Sequence, residues 1–208
     1  MCKRLKYENE AYQLGYQTII GLDEAGRGPM AGPLVVGAVI FEKGYYCEEI
    51  NDSKQLSESK REQLYQKIID DALAYQIEIL DVDEVDQLNV YQASRQGMLR
   101  AIQHISIQPD FALSDAMPLG DMIPHQAIIK GDSLSISIAA ASILAKVTRD
   151  HIMIEYDKQF PEYGFAKHKG YPTKFHKEAL KKYGVTPIHR RSFQPVKDVM
   201  NEQLQFDL

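Results

Sequence analysis

Residues 19–40 read "IIGLDEAGRGPMAGPLVVGAVI". An apolar run drives into two adjacent carboxylates, Asp23 and Glu24. Gly26-Arg27-Gly28 follows, then Pro29 and Pro33 around Gly32, and a second apolar run ends the stretch. Apolar, β-branched segments bounded by glycine and proline read as strands, here 17–23 and 34–42, joined by the turn as a hairpin. A charge at the end of a buried strand loses hydration and needs a compensating partner. The spacing Gly26-x-Gly28-x-x-x-Gly32 departs from G-x-G-x-x-G, and the two prolines deny the helix that would hold a pyrophosphate. A dinucleotide turn is therefore set aside. What remains is a turn whose backbone can approach a ligand closely. Arg27 is then open to two roles, binding a phosphate or pairing with Asp23 or Glu24.

Two further short strands are expected, and each leads into an aspartate: "DFALSD" into Asp115 and "HQAIIKGD" into Asp132. Neighbouring strands lie about 4.8 Å apart, so adjacent ends would crowd four carboxylates into one cleft. Such crowding is relieved by protonation or by hard divalent cations, which take oxygen ligands. Taken singly, each aspartate also suits a turn or a helix cap, Asp132 before "SLSIS" especially. Helical spacing marks "DSKQLSESKREQLYQKIIDDA", with Ser57 or Ser59 as N-cap. "YQIEILDV" alternates as a strand. "DEVDQLNVYQASRQGMLRAIQHI" reads as one or two helices with Gly97 as the weak point. "SISIAAASILAKVTRDHIMIEYDKQF" is the strongest helix, and "TKFHKEALKKYG" is a shorter basic one stopping at Gly184. Together these describe a mixed sheet covered by helices.

With 208 residues, 44% hydrophobic, the chain suits one α/β domain with or without a small appendage. Cys2 and Cys47 are too few for a disulfide framework and fit a reducing compartment. The first residues, "MCKRLKYENEAYQLGYQ", lack the apolar core of a signal peptide. The longest apolar run, "PLVVGAVIF", is far short of the ~20 residues that span a bilayer, so a soluble cytoplasmic protein is expected. The formal net charge of −5 hides an asymmetry. Residues 143–197 hold 12 Lys/Arg against 5 Asp/Glu, and the remainder holds 12 against 24. An acidic body that holds cations and a basic final quarter that meets a polyanion would produce this division. A Lys-rich solvated helix surface produces the same composition.

In order along the chain, "GLDEAGRGPMAGPLVVGAVI", "DSKQLS", "LNVYQAS", "KGDSLSISIAAASILAKVTRD", "HKGYPTKFH" and "PIHRRSF" resemble bacterial ribonuclease HII, from about Tyr16 to Lys197. The resemblance implies an α/β fold, a ribonuclease H-like mixed β-sheet flanked by helices, with a helical C-terminal extension. It divides the chain into a catalytic core at 1–157, whose first 15 residues form a helix or extension, and a basic helical extension at 158–208, tailed by 198–208. It also implies an endoribonuclease that hydrolyses the RNA strand of RNA–DNA hybrids and cuts 5′ of single ribonucleotides in duplex DNA. Two ions, Mg²⁺ or Mn²⁺, would serve, and the ends would be 3′-hydroxyl and 5′-phosphate. Water is the expected nucleophile, since no Ser or Cys stands in a nucleophile arrangement.

By motif, the family's four catalytic and metal-binding acids fall on Asp23, Glu24, Asp115 and Asp132. Gly26, Arg27 and Gly28 match the element that senses the 2′-hydroxyl, and Tyr171 would bracket the ribonucleotide with it. Ser53, Lys54, Asn89, Gln92, Ser142 and Lys146 match groups that touch the substrate backbone. Two residues depart from the pattern: Ala116 stands where glycine is usual, and Leu134 where lysine is common. If that glycine serves an unusual backbone angle, Ala116 would displace Asp115, which makes a silent hybrid-binding module conceivable. A DNA-directed nuclease with the same acids is the other alternative. Beyond the resemblance, Gln203, Leu204, Phe206 and Leu208 have the spacing of a peptide that docks on a sliding clamp, or of a helix end packed on the domain. A monomer is expected by analogy.

Overall fold

The computed structural model describes residues 3–206. Helix α1 (Lys6–Gln13) precedes the hairpin of β1 (Ile19–Ala25) and β2 (Leu34–Ile40). Then follow α2 (Glu58–Asp71), β3 (Ala74–Leu80), α3 (Val82–Leu88), α4 (Val90–His104), β4 (Phe111–Asp115) and β5 (His125–Ile128). Helices α5 (Gly131–Leu134), α6 (Ile136–Gln159), α7 (Phe165–His168), α8 (Lys174–Tyr183) and α9 (Gln194–Phe206) complete the chain. The strands form one mixed sheet in the order β3-β2-β1-β4-β5. β1 runs antiparallel to β2, with Asp23 opposite Gly37, and parallel to β4, which in turn runs parallel to β5.

The caps follow their local chemistry. Ser57 caps α2 by accepting from Lys60 N, and Thr173 caps α8 by accepting from His176 N, each closing an orphan donor of the first turn. Gly184 ends α8 as expected. The reading of 83–105 as one or two helices resolves into two. The break is at Asn89, whose φ of 64° no helix tolerates, while Gly97 lies inside α4.

The chain divides into two compact units. The first comprises 1–25, 35–79 and 94–147, and the second 26–34, 80–93 and 148–208; α6 supplies residues to both. In the first, the alanines of "SISIAAASILAK" have a clear purpose. A Cβ on Gly21 would stand 2.2 Å from Ser137 C, and one on Gly37 2.2 Å from Ala141 O. Two glycines on adjacent strands and a run of alanines on the helix therefore let α6 lie directly on the sheet backbone. Ile136, Ile143, Leu144 and Val147 then pack with Val39, Ile50, Leu64 and Ile68. Truncating a buried leucine such as Leu144 to Ala costs roughly 2–5 kcal/mol in such a setting.

Buried Glu8 ties α1 to the start of α6, accepting from Ser135 Oγ at 2.5 Å and Ser137 N at 3.1 Å. The second unit has its own core of Met30, Met153, Tyr163, Phe165, Leu180, Ile188 and Val196. Among the described residues, no helix is long and apolar enough to cross a membrane. Cys47 is a free, buried thiol, and Cys2 lies outside the described residues. The side chains of Gln203, Leu204 and Phe206, and all of Leu208, also lie outside them.

Candidate active site

In the first unit, Asp23, Asp115 and Asp132 each bring a carboxylate oxygen to within 4.8 Å of the other two. Asp23 arrives on β1, on the same face as Gly21, and Asp115 is the last residue of β4. Asp132 corrects the expectation of a third strand end. β5 stops at Ile128, Lys130 turns into the left-handed region at φ 58°, and Asp132 sits in the one-turn helix α5. The Gly131 amide at the head of that helix donates to Asp115 Oδ1 at 2.8 Å. Glu24 stands beside this trio rather than within it, because adjacent residues of a strand turn to opposite sides.

Asp23 is 4% exposed, and burial pushes its carboxyl well above the ordinary carboxylate range. The charges of Glu24, Asp115 and Asp132 push the same way, while the Glu24 amide, donating to Asp23 Oδ1 at 2.7 Å, opposes them. Three hard oxygen donors in a partly desolvated cluster suit a divalent cation. Lys54 extends into this cluster: its Nζ lies 3.1 Å from Asp132 Oδ2. Burial alone would lower the Lys54 ammonium, but the hydrogen bond to Asp132 and the charges of Asp132, Asp23 and Asp52 together outweigh it and leave it raised.

Ala116 has a φ of 53°, so the position does require the left-handed conformation that glycine favours. The alanine adopts it, bonds its amide to Ile128 O at 3.0 Å, and leaves Asp115 in the trio. Leu134 is exposed at the end of α5. Of the other predicted residues in this unit, Ser53 is buried beside Lys54, and Lys146 is half-buried. Ser142 is buried with its hydroxyl bonded to Ala139 O at 2.9 Å, so its hydroxyl faces its own helix instead of solvent.

In the second unit, turn 26–28 and Tyr171 come together. A Cβ on Gly28 would lie 3.2 Å from Tyr171 Cε1, and Tyr171 is 47% exposed. Arg27 is exposed. Beneath them lies buried Arg149, which the sequence reading passed over. It donates to Pro33 O at 2.9 Å, Ala31 O at 3.0 Å and Lys169 O at 2.9 Å, cross-bracing the turn and the Tyr171 loop. In the sequence it stands among the charged and polar residues Lys146, Thr148, Asp150 and His151, where an arginine reads as part of a solvated face. Gly26, at φ 105°, is held by this brace, since a Cβ there would meet Arg149 Nε at 2.5 Å. Asn89 caps α4 through Oδ1, accepting from Tyr91 N and Gln92 N, and both Asn89 and Gln92 are exposed. Phe175, 55% exposed, lines a pocket of about 550 Å³ with Lys167, His168 and Thr173.

A mixed five-stranded sheet that gathers three aspartates where β1 and β4 end defines a metal-dependent nuclease of ribonuclease H-like fold. A family model described as Ribonuclease HII matches residues 20–196. Ribonuclease HII of Acholeplasma laidlawii is 52% identical over 95% of this chain and 98% of its own length. Ribonuclease HII of Clostridioides difficile is 54% identical over 90% and 74%. Among solved structures, ribonuclease H2 from Pyrococcus horikoshii is 28% identical with a TM-score of 0.77, over 89% of this chain and 98% of that one. The PCNA:RNase HII complex from Archaeoglobus fulgidus shares the fold, at 23% identity and TM-score 0.72 over 87% and 96%. The chain belongs to the ribonuclease HII family. It is a divalent-metal-dependent endonuclease that degrades the RNA of RNA–DNA hybrids.

Proposed function

We propose that the chain also cuts duplex DNA on the 5′ side of a lone ribonucleotide, leaving 3′-hydroxyl and 5′-phosphate ends. The observation that carries the site is the meeting of the Asp23, Asp115 and Asp132 oxygens within 4.8 Å. These three and Glu24 would hold two ions, Mg²⁺ or Mn²⁺, both hard enough for an all-oxygen site. When bound, the ions lower the pKa of the attacking water and offset charge on the leaving oxygen. The chain's own residues supply recognition. Turn 26–28 and the Tyr171 ring lie against one another and can meet a ribose 2′-hydroxyl, which both donates and accepts. Lys54, Lys146, Ser53, Asn89 and Gln92 are assigned to the substrate backbone, which they grip without reading sequence. Ser142 is left out of that set because its hydroxyl is engaged within α6.

The test is cleavage of an end-labelled duplex bearing one ribonucleotide, beside an all-DNA duplex and a long hybrid, with Mg²⁺, Mn²⁺ or EDTA. Cutting 5′ of the ribonucleotide with either ion, and none in EDTA or on all-DNA, is the expected result. Equal cutting of the all-DNA duplex would point to a DNA-directed nuclease, and binding without product to a silent module. We place the enzyme in the cytoplasm as a monomer, which size-exclusion chromatography checks. The tail carrying Gln203, Leu204, Phe206 and Leu208 is assigned to a sliding clamp, a reading encouraged by the archaeal neighbour solved with PCNA. Unchanged clamp affinity after deletion of 203–208 sinks it.

A further inference from the structure

Tyr171 sits at the end of a loop whose successive carbonyls are each held by a different element. Lys169 O accepts from Arg149 on α6, Gly170 O from Met30 N at 3.0 Å, and Tyr171 O from His176 Nδ1 on α8 at 2.9 Å. The third of these bonds continues into the interior. His176 Nε2 lies 3.0 Å from His189 Nε2, and His189 Nδ1 lies 3.1 Å from Thr186 N. Both rings are buried, at 0% and 1% exposure.

Only one placement of protons satisfies every link. The Thr186 amide can only donate, so His189 Nδ1 accepts, the Thr186 hydroxyl 2.8 Å away turns its proton to the same nitrogen, and the His189 proton sits on Nε2. The Tyr171 carbonyl can only accept, so His176 carries its proton on Nδ1 and offers the Nε2 lone pair. The His189 Nε2–H therefore donates to His176 Nε2, and both rings are neutral. An imidazolium at either position would set N–H against N–H. Desolvation acts the same way, pulling His176 down to about 4 and His189 to about 3. His189 also belongs to the segment that pairs with the turn. Ala31 bridges to His189, Gly32 N donates to Ile188 O at 2.8 Å, and Arg190 N donates to Met30 O at 2.9 Å. One side of the loop is thus tied to the turn through Met30 and the other through the imidazole pair, and Gly28 and Tyr171 face each other between them.

We propose that His189 and His176 are positioning residues for ribonucleotide recognition, a proton-ordered imidazole pair that sets Tyr171 against turn 26–28. The proposal rests on the reading of Tyr171 as the residue that meets the ribonucleotide. A sub-ångström error in that spacing is enough to lower turnover without loosening the phosphate grip.

Two measurements test it. In ¹⁵N-detected NMR of the full-length wild-type chain at neutral pH, His176 should be the Nδ1–H tautomer and His189 the Nε2–H tautomer. Either ring charged, or the tautomers reversed, overturns the proposal whatever the variants do. In kinetics on a single-ribonucleotide duplex with Mg²⁺, His189→Leu should lower kcat by about tenfold with KM changed less than about twofold. His189→Gln, whose amide can still donate to His176, should recover to within about threefold of wild type. Equal loss in both variants, or a loss confined to KM, overturns positioning through this bond. Tyr171→Ala is the separate control. If it cleaves like wild type, the ribonucleotide reading of Tyr171 fails, while the NMR outcome still decides the state of the pair.

Discussion

The Gly131 amide donates to Asp115 Oδ1 across 2.8 Å, so the residue opening the helix that bears Asp132 is bonded to a second aspartate of the cluster. One carboxyl group thus both joins the acidic trio and serves as a structural acceptor. Asp115→Asn keeps an oxygen for Gly131, whereas Asp115→Ala removes it. Both should abolish cleavage, and only the alanine variant should also lower stability, by about 1–2 kcal/mol. Urea denaturation in EDTA beside an activity assay separates the effects; equal stability of the two variants would count against the bond.

Asp23 makes the opposite trade. Its folded-state pKa is raised by burial and by neighbouring carboxylates, so its contribution is intact at low pH and is lost as pH rises through the folded value. Without metal, Asp23→Asn should therefore be more stable than wild type at pH 7, by roughly 1 kcal/mol or more, and the gap should close towards pH 4. Added Mg²⁺ should stabilise wild type and leave the variant unmoved. A thermal-shift series across pH, with and without Mg²⁺, reads all three.

Ala116 holds a left-handed φ of 53° in a non-glycine residue. Such a conformation costs an L-residue roughly 1–2 kcal/mol, partly offset in glycine by a more flexible unfolded chain. Ala116→Gly should stabilise by about 0.5–1 kcal/mol and leave cleavage at or above the wild-type rate. Denaturant midpoints decide the sign, and a destabilised glycine variant would show that the angle is not strained.

Three glycines should respond in two ways. Gly21→Ala and Gly37→Ala each drive a Cβ to 2.2 Å from the α6 backbone, where nothing flexible can yield, and should cost more than about 3 kcal/mol or prevent folding. Gly28→Ala meets only the edge of the Tyr171 ring at 3.2 Å. It should fold within about 1 kcal/mol of wild type yet lose about tenfold in kcat/KM on a ribonucleotide substrate. Soluble yield, circular dichroism and kinetics sort them.

Acid should weaken the second unit through its histidines. His176 and His189 titrate near 6.5 when unfolded but at about 4 and about 3 when folded, so their stabilising neutral forms are secure above pH 6.5. Below it the unfolded chain takes up protons the folded one refuses, at up to ~1.4 kcal/mol per pH unit per histidine. Stability should fall by at least about 1 kcal/mol between pH 7 and pH 5, with a shallower slope in His189→Gln. Isothermal urea titrations at several pH values measure both slopes.

Much of the fold was legible in local pattern. Alternation and turn residues located β1, β2 and β3, and the capping serine, capping threonine and terminal glycine bounded α2 and α8. Asp115 was visible as a strand end, and Asp23 was read as one although β1 runs two residues further, to Ala25. Asp132 was read as a strand end with a turn or helix cap as the alternative, and it lies in the first turn of a short helix because Lys130 takes a left-handed angle, which a lysine does not advertise. Asn89 hid the break between α3 and α4 in the same way. Arg149 and the imidazole pair escaped because their partners are backbone carbonyls and each other, and neither leaves a periodic trace. Ser142 matched by position, yet the helical face it occupies points inward.

Lys54 reaches Asp132 from a side chain that is otherwise mostly in solvent. The protein therefore carries a counter-ion on its own leash: one aspartate of the trio has a positive neighbour at any magnesium concentration. An ion held by Asp23, Asp115 and Asp132 would meet a cluster already partly balanced and would compete with a tethered ammonium for Asp132. On the reading that assigns Lys54 to the substrate backbone, metal binding and the freeing of that ammonium for a nucleic-acid strand would be a single exchange of cations.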